Sequence, residues 1–156
     1  QELKRIKTIK SSDIINYKVT KLDGKPLDLK KNYKIAVAAY KNEKNKRVQL
    51  VKTFTAHIVG VKNNKNTNAK GIELAKRSYT LSVGESATVR ATTILVDSTK
   101  KQLNDTHTKE FRYQSSDKTV VTVSKTGKIK AVGSGSCTVY VYARNGYAKK
   151  ITVVVK

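Results

Sequence analysis

From Phe111 to Val155, apolar and polar side chains alternate in short runs separated by Gly-bearing turns. In the run from Cys137 to Ala143, the odd positions are Cys137, Val139, Val141 and Ala143, and the even positions are Thr138, Tyr140 and Tyr142. A strand points successive side chains to opposite faces. The odd row is therefore predicted to face a core, with Tyr140 and Tyr142 facing out. In the next run, Ile151, Val153 and Val155 form a second inward row. Both rows must lie on the same side of one sheet. A two-residue loop at Asn145-Gly146 pairs Tyr140 with Ile151 and sets the rows in conflict. A three-residue loop, Arg144-Asn145-Gly146, pairs Val139 with Ile151 and reconciles them. That loop is a type I turn followed by Gly in the left-handed region. Val123 and Ile129 flank Lys125-Thr126-Gly127 and predict a second hairpin with the same turn.

The same reading gives eight strand candidates after residue 70: Gly71 to Leu74, Tyr79 to Val83, Ala87 to Val96, Phe111 to Gln114, Val120 to Ser124, Lys128 to Val132, Ser136 to Ala143 and Ala148 to Val155. So many short runs with turn signals predict a β-sandwich. Four candidates precede residue 62: Leu3 to Ile9, Ile14 to Lys21, Tyr33 to Tyr40 and Val48 to Val61. Between them, Lys62 to Lys70 holds four Asn and no apolar residue except Ala69. It reads as a polar linker over 63–70. The expected fold is all-β: two small immunoglobulin-like sandwiches in tandem, 1–62 and 71–156, the first incomplete. A polar loop from Asp97 to Glu110 is long enough to be functional or mobile.

Composition supports thin aliphatic cores. Hydrophobic residues make up 38% of the 156, with no Trp or Met, which suits small domains better than one large core. No run approaches the roughly 18 apolar residues of a membrane span. The opening Gln1 to Arg5 lacks a secretory leader, so the chain reads as a mature product or an excised fragment. Cys137 is the single cysteine and reads as an inert buried thiol. Net charge is +22, and of 33 basic residues only six are Arg. Polyanion attraction follows from that charge. The Lys bias argues against base-specific recognition, which favours Arg, so nucleic acid is expected to bind only non-specifically.

Several phrases in order carry a resemblance. Tyr79-Thr80-Leu81-Ser82-Val83-Gly84-Glu85, Phe111-Arg112-Tyr113-Gln114-Ser115-Ser116-Asp117, Val121 to Ser124 with Gly127 to Ala131, and Gly135 to Val139 resemble successive motifs of the bacterial Ig-like domain, group 2. The resemblance spans about Gly71 to Lys156. Ser115 and Ser116 suit a turn after the strand, and Gly84, Gly127 and Gly135 suit strand ends. Leu27 to Tyr33 is similar to the leucine and tyrosine corner of a fibronectin type III domain. Tyr33, Ile35, Val37 and Ala39 would then face in. The earlier strands of that family are missing, which leaves an edge open to strand pairing between chains. The tandem looks like accessory modules of Gram-positive surface or secreted proteins, which implies an extracellular location and neighbouring domains of the same polypeptide as partners.

Catalytic chemistry is not signalled. His57 is expected to face out with Thr55 and Val59, opposite Phe54, Ala56 and Ile58. His107 lies in the polar loop near Asp105. One Cys and two distant His cannot form a zinc site, and no acidic run suits calcium. Neither a positioned triad nor a phosphate loop is present, so no cofactor or metal is expected. A Lys–Asn or Lys–Asp isopeptide bond needs a buried Lys, and the assignable inward positions are aliphatic. The remaining ligand-binding candidates are Tyr140, Tyr142, Arg144 and Tyr147 on one exterior strip, since sugars stack on aromatic faces. Packing of the tyrosines against Lys stems and Thr152 or Val154 competes with that reading. The expected role is a non-catalytic spacer. The alternative is adhesion to host or wall glycans or other polyanions.

Overall fold

The structure, a computed structural model, describes residues 3–9, 17–103 and 109–156. Among these residues it contains strands and no helix. β1 (Lys21–Leu22) and β2 (Lys25–Pro26) form a hairpin across Asp23-Gly24. β3 (Asn32–Ile35) pairs with β6 (Ala56–Val59), and between them β4 (Ala38–Glu43) and β5 (Lys46–Lys52) form a second hairpin. Both tight turns need left-handed backbone at their two central residues. They have it at Asp23 (φ 50°) and Gly24 (77°), and at Lys44 (45°) and Asn45 (63°).

The remaining strands are β7 (Asn66–Thr67), β8 (Ala69–Leu74), β9 (Ser78–Leu81), β10 (Ser86–Thr88), β11 (Ala91–Leu95), β12 (Lys101–Gln102), β13 (Phe111–Ser115), β14 (Val121–Val123), β15 (Lys128–Ala131), β16 (Gly135–Ala143) and β17 (Ala148–Val155). One layer has the order β13-β16-β17-β9. Its pairs are antiparallel except β17 with β9, which is parallel. The antiparallel set β10-β15-β14 and the pair β8–β11 supply the facing strands. The core lies between them. It joins Ile129 and Ala131 of β15 and Val121 of β14 to Cys137, Val139, Val141 and Ala143 of β16 and to Ile151, Val153 and Val155 of β17.

The predicted register holds. Val139 pairs with Ile151 and Tyr142 with Ala148. Gly146 N donates to Ala143 O at 2.9 Å, with Gly146 at φ 87°. The second hairpin pairs Val123 with Ile129, and Gly127 N donates to Ser124 O at 3.1 Å, with Gly127 at φ 82°. Ser115, the last residue of β13, caps the turn as predicted, whereas the Ser116 side chain reaches across to β16 instead. Ser116 Oγ accepts Thr138 N at 2.9 Å, while Ser115 Oγ donates to Asp117 O at 2.8 Å. The Asp117 carboxylate caps Thr119 through its hydroxyl (2.6 Å) and its N–H (2.8 Å). These bonds hold the Asp117 pKa below the ordinary carboxylate range.

The N-terminal third departs from the alternation rule. Leu3 to Ile9 forms no strand, and Tyr17 to Thr20 forms none; Ile14 to Asn16 lie outside the described residues, as do His107 and Asp105. The run from Tyr33 breaks at Ala36-Val37, where Val37 N turns to Thr53 Oγ1 (3.0 Å). Tyr33 and Ile35 are half-buried, but Val37 is 66% exposed and Ala39 is exposed. The break shifts the phase of every later position. Ala87 to Val96 also divides, into β10 and β11. His57 is a direct correction. It is 5% exposed and Val59 is 2% exposed, whereas Phe54 is exposed. β6 packs its His57 face against the sandwich at Arg144, with His57 N donating to Arg144 O at 2.8 Å. The polar stretch 62–70 carries β7 and the start of β8.

A Cβ at Gly127 would lie 2.7 Å from Tyr113 Cζ, whereas one at Gly84 (φ 88°) would meet nothing within 4 Å. Both alanine variants should lose about 1 kcal/mol to the left-handed backbone. Gly127→Ala should lose clearly more in denaturant unfolding, because the Tyr113 ring must move. Equal losses would mean that the ring is not fixed there.

Candidate functional site

The asparagines of the polar stretch build a junction. An Asn side chain carries the same donor and acceptor pair as a peptide group. Asn68 uses both against one residue: its Oδ1 accepts Val59 N at 2.8 Å, and its Nδ2 donates to Val59 O at 2.6 Å. A buried backbone group needs such partners, and Asn68 supplies them where β6 ends. Asn63 Oδ1 accepts Lys65 N (3.0 Å) and Asn66 N (2.8 Å), while its Nδ2 donates to Lys30 O (3.0 Å). Asn66 Nδ2 reaches Gln102 O at 3.0 Å, and Asn145 Nδ2 reaches Ala69 O at 2.8 Å. Gly60 lets the chain pass beneath the turn before β3: a Cβ there would sit 2.1 Å from Leu29 O.

Arg112 closes the other side. It projects from β13 beside Tyr142, its register partner on β16. Its Nη1 donates to Thr55 O at 2.5 Å, and its Nη2 donates to Ala143 O (3.0 Å) and Arg144 O (3.2 Å). Its guanidinium carbon lies 5.1 Å from the Phe54 ring centre. One side chain thus ties the segment before β6 to the β16–β17 turn. Burial lowers the Arg112 pKa from its ordinary value. Phe54 also packs edge-on to Tyr142 at 5.6 Å and 64°.

The four residues singled out in the sequence occupy different surroundings. Tyr140 and Tyr142 stack at 6.1 Å and 21°, and Lys150 Nζ lies 5.8 Å from the Tyr140 ring. Burial, and then the neighbouring Tyr140, raise the Tyr142 pKa. Arg144 turns away from that stack, donating to Leu103 O and to Gln102 Oε1 (3.3 Å). Tyr147 is 38% exposed at the foot of the turn. Phe54, Asn68 and Arg112 were not singled out. Four asparagines in nine residues were the available signal, but composition alone does not say what they bond. Among the described residues no lysine is buried, and no group of three His, Cys, Asp or Glu could hold a metal ion. No helix among them is long and apolar enough to cross a membrane.

The model of the bacterial Ig-like domain (group 2) family matches residues 68–154, starting at the asparagine that bonds Val59. The chain belongs to that family. The match covers the core described above except Val155, against an expected span of Gly71 to Lys156. Two solved S-layer structures are similar to this bacterial Ig-like chain. Domains 4 and 5 of the S-layer protein SbsC are 18% identical, with a TM-score of 0.44 over 67% of this chain and 62% of that one. The S-layer protein rSbsC(31-844) is also 18% identical, with a TM-score of 0.46 over 86% of this chain and 21% of that one. PcdhgB3 EC1-4 is 15% identical, with a TM-score of 0.36 over 84% and 34%. This chain therefore spans less than two thirds of each of those structures. No curated protein sequence matches it.

Replacing Asn68 with Ala strands the Val59 N–H and C=O, and Val59 is 2% exposed. The expected cost is about 1–3 kcal/mol. Amide exchange at Val59 should accelerate while β16 and β17 keep their protection. Unchanged exchange at Val59 would show that water replaces Asn68 without loss.

Proposed function

We propose that this chain is a non-catalytic spacer within a larger bacterial surface or secreted protein, holding neighbouring domains of that polypeptide at a set separation. The observation that carries this reading is the junction. Side-chain amides of Asn63, Asn66 and Asn68 and the guanidinium of Arg112 tie the N-terminal strands to the Ig-like sandwich at several points. A spacer transmits position only if its parts do not swivel, and hydrogen bonds to backbone groups on both sides of the junction oppose swivelling. Family membership supports the non-catalytic part, because bacterial Ig-like domains are a non-catalytic domain type. We read residues 1–62 as a partial fibronectin type III-like sandwich, 63–70 as its connection and 71–156 as the Ig-like domain. Tyr33 Oη donates to Asp28 O at 3.0 Å, the backward bond of a tyrosine corner, and supports the first of these.

The test is a distance. Spin labels at Lys30→Cys and Ser134→Cys, two exposed positions, should give one narrow distribution. The buried Cys137 should stay unlabelled. Adding Arg112→Ala and Asn68→Ala should broaden the distribution. A broad distribution before those changes would sink the spacer reading.

A second reading is adhesion to glycans through Tyr140, Tyr142, Arg144 and Tyr147. The stacked Tyr140–Tyr142 pair favours it by offering two adjacent ring systems. Under it, saturable binding to a glycan array at physiological salt should fall at least tenfold in Tyr142→Ala or Tyr147→Ala. Binding that ignores both changes and disappears with added salt is charge attraction alone.

A further inference from the structure

A cleft of about 490 Å³ runs between the N-terminal strands and the sandwich, within the roughly 300–1,000 Å³ typical of ligand sites. Phe111, Arg112 and Tyr113 all line it, and they are consecutive residues of β13. Successive side chains leave a strand on opposite faces, so three in a row can line one cleft only if the edge of the strand opens into it. β13 is the terminal strand of its sheet, with β16 on one side and, among the described residues, no strand on the other. A free strand edge presents backbone N–H and C=O groups to any extended chain that can reach them.

The walls carry one sign of charge. Lys34, Lys109, Arg112 and Lys125 all line the cleft, and among the described residues no carboxylate does. Glu110, next in sequence to Lys109, accepts Thr93 Oγ1 at 2.9 Å instead. Arg112 points its donors at backbone carbonyls, so its charge is fixed there without a counter-ion among the described residues. Like charges held around a concave site raise the local concentration of anions.

We infer that the cleft accepts an acidic, extended peptide segment that adds to β13 as a further strand, its carboxylates meeting Lys34, Lys109 and Lys125. The backbone edge selects a peptide over other polyanions, because only a peptide offers donors and acceptors at strand spacing. A second copy of this chain does not fit. Among the described residues no strand holds more than one carboxylate, and the chain's net charge of +22 opposes self-association. The inference goes beyond the spacer reading and does not rest on it.

The probe is a blocked octapeptide of alternating Thr and Glu, titrated into the full chain at 150 mM NaCl and followed by backbone amide NMR and calorimetry. Saturable binding is expected, with the largest amide shifts in Phe111 to Ser115. The same peptide N-methylated at alternate residues, which removes donors but not charge, should bind at least tenfold more weakly. The double variant Lys109→Glu/Lys125→Glu should lose at least tenfold, while Lys41→Glu/Lys44→Glu, with the same change in net charge away from the cleft, should stay within twofold. Thermal unfolding of each variant checks that the fold is kept. The inference is overturned if the methylated peptide binds as well as its parent, or if both double variants lose equally. It is overturned too if an oligogalacturonate of equal charge binds as tightly at the same residues, which would make the cleft a saccharide site.

Discussion

The fold rests on a register constraint between β16 and β17. Each strand has one apolar row, and both rows must face the same side of the sheet. Only a pairing that sets Val139 against Ile151 achieves this. A slip of one residue would carry Ile151, Val153 and Val155 into water and bring Lys150, Thr152 and Val154 inward. The three-residue turn, with Gly146 in the left-handed region, makes the correct pairing the accessible one. β13 then pairs on one flank and β9 on the other. Every other contact of the core is made against a surface whose phase has already been set.

This explains which parts of the molecule were legible in the sequence. Where one face of a strand meets a core and the other meets water, side-chain type reports direction, and both hairpins of the sandwich were readable down to single residue pairs. Around β3 and β6 that contrast disappears. His57 is buried although polar, while Val37 and Phe54 are exposed although apolar. The ribbon is covered by another part of the chain, so its alternation does not refer to one core. Asn68 and Arg112 were beyond pattern reading for a related reason. Their partners are backbone groups of Val59, Thr55 and Ala143, which any side chain could carry, so the partners leave no trace in sequence.

The outer face of the sheet combines features that compete for the same side chains. Tyr142 stacks on Tyr140 and receives the edge of Phe54. Phe54 in turn lies under the Arg112 guanidinium. Each ring that supports the junction has part of its surface taken from solvent. Residues there cannot be altered singly without touching both the packing between the chain's two parts and the surface they present.

The parallel pairing of β17 with β9 has a mechanical meaning. β9 begins at Ser78, and β17 ends at Val155, paired with Leu81. Tension between those two points runs along the strands rather than across them. The hydrogen bonds of the pair, including Thr152 N to Arg77 O at 3.1 Å and Lys156 N to Leu81 O at 2.9 Å, are loaded together in shear. They must fail as a group, whereas a hairpin opened from its end fails one bond at a time. The strand order that closes the sandwich thus also sets the direction in which a pull between those two strand ends would load it.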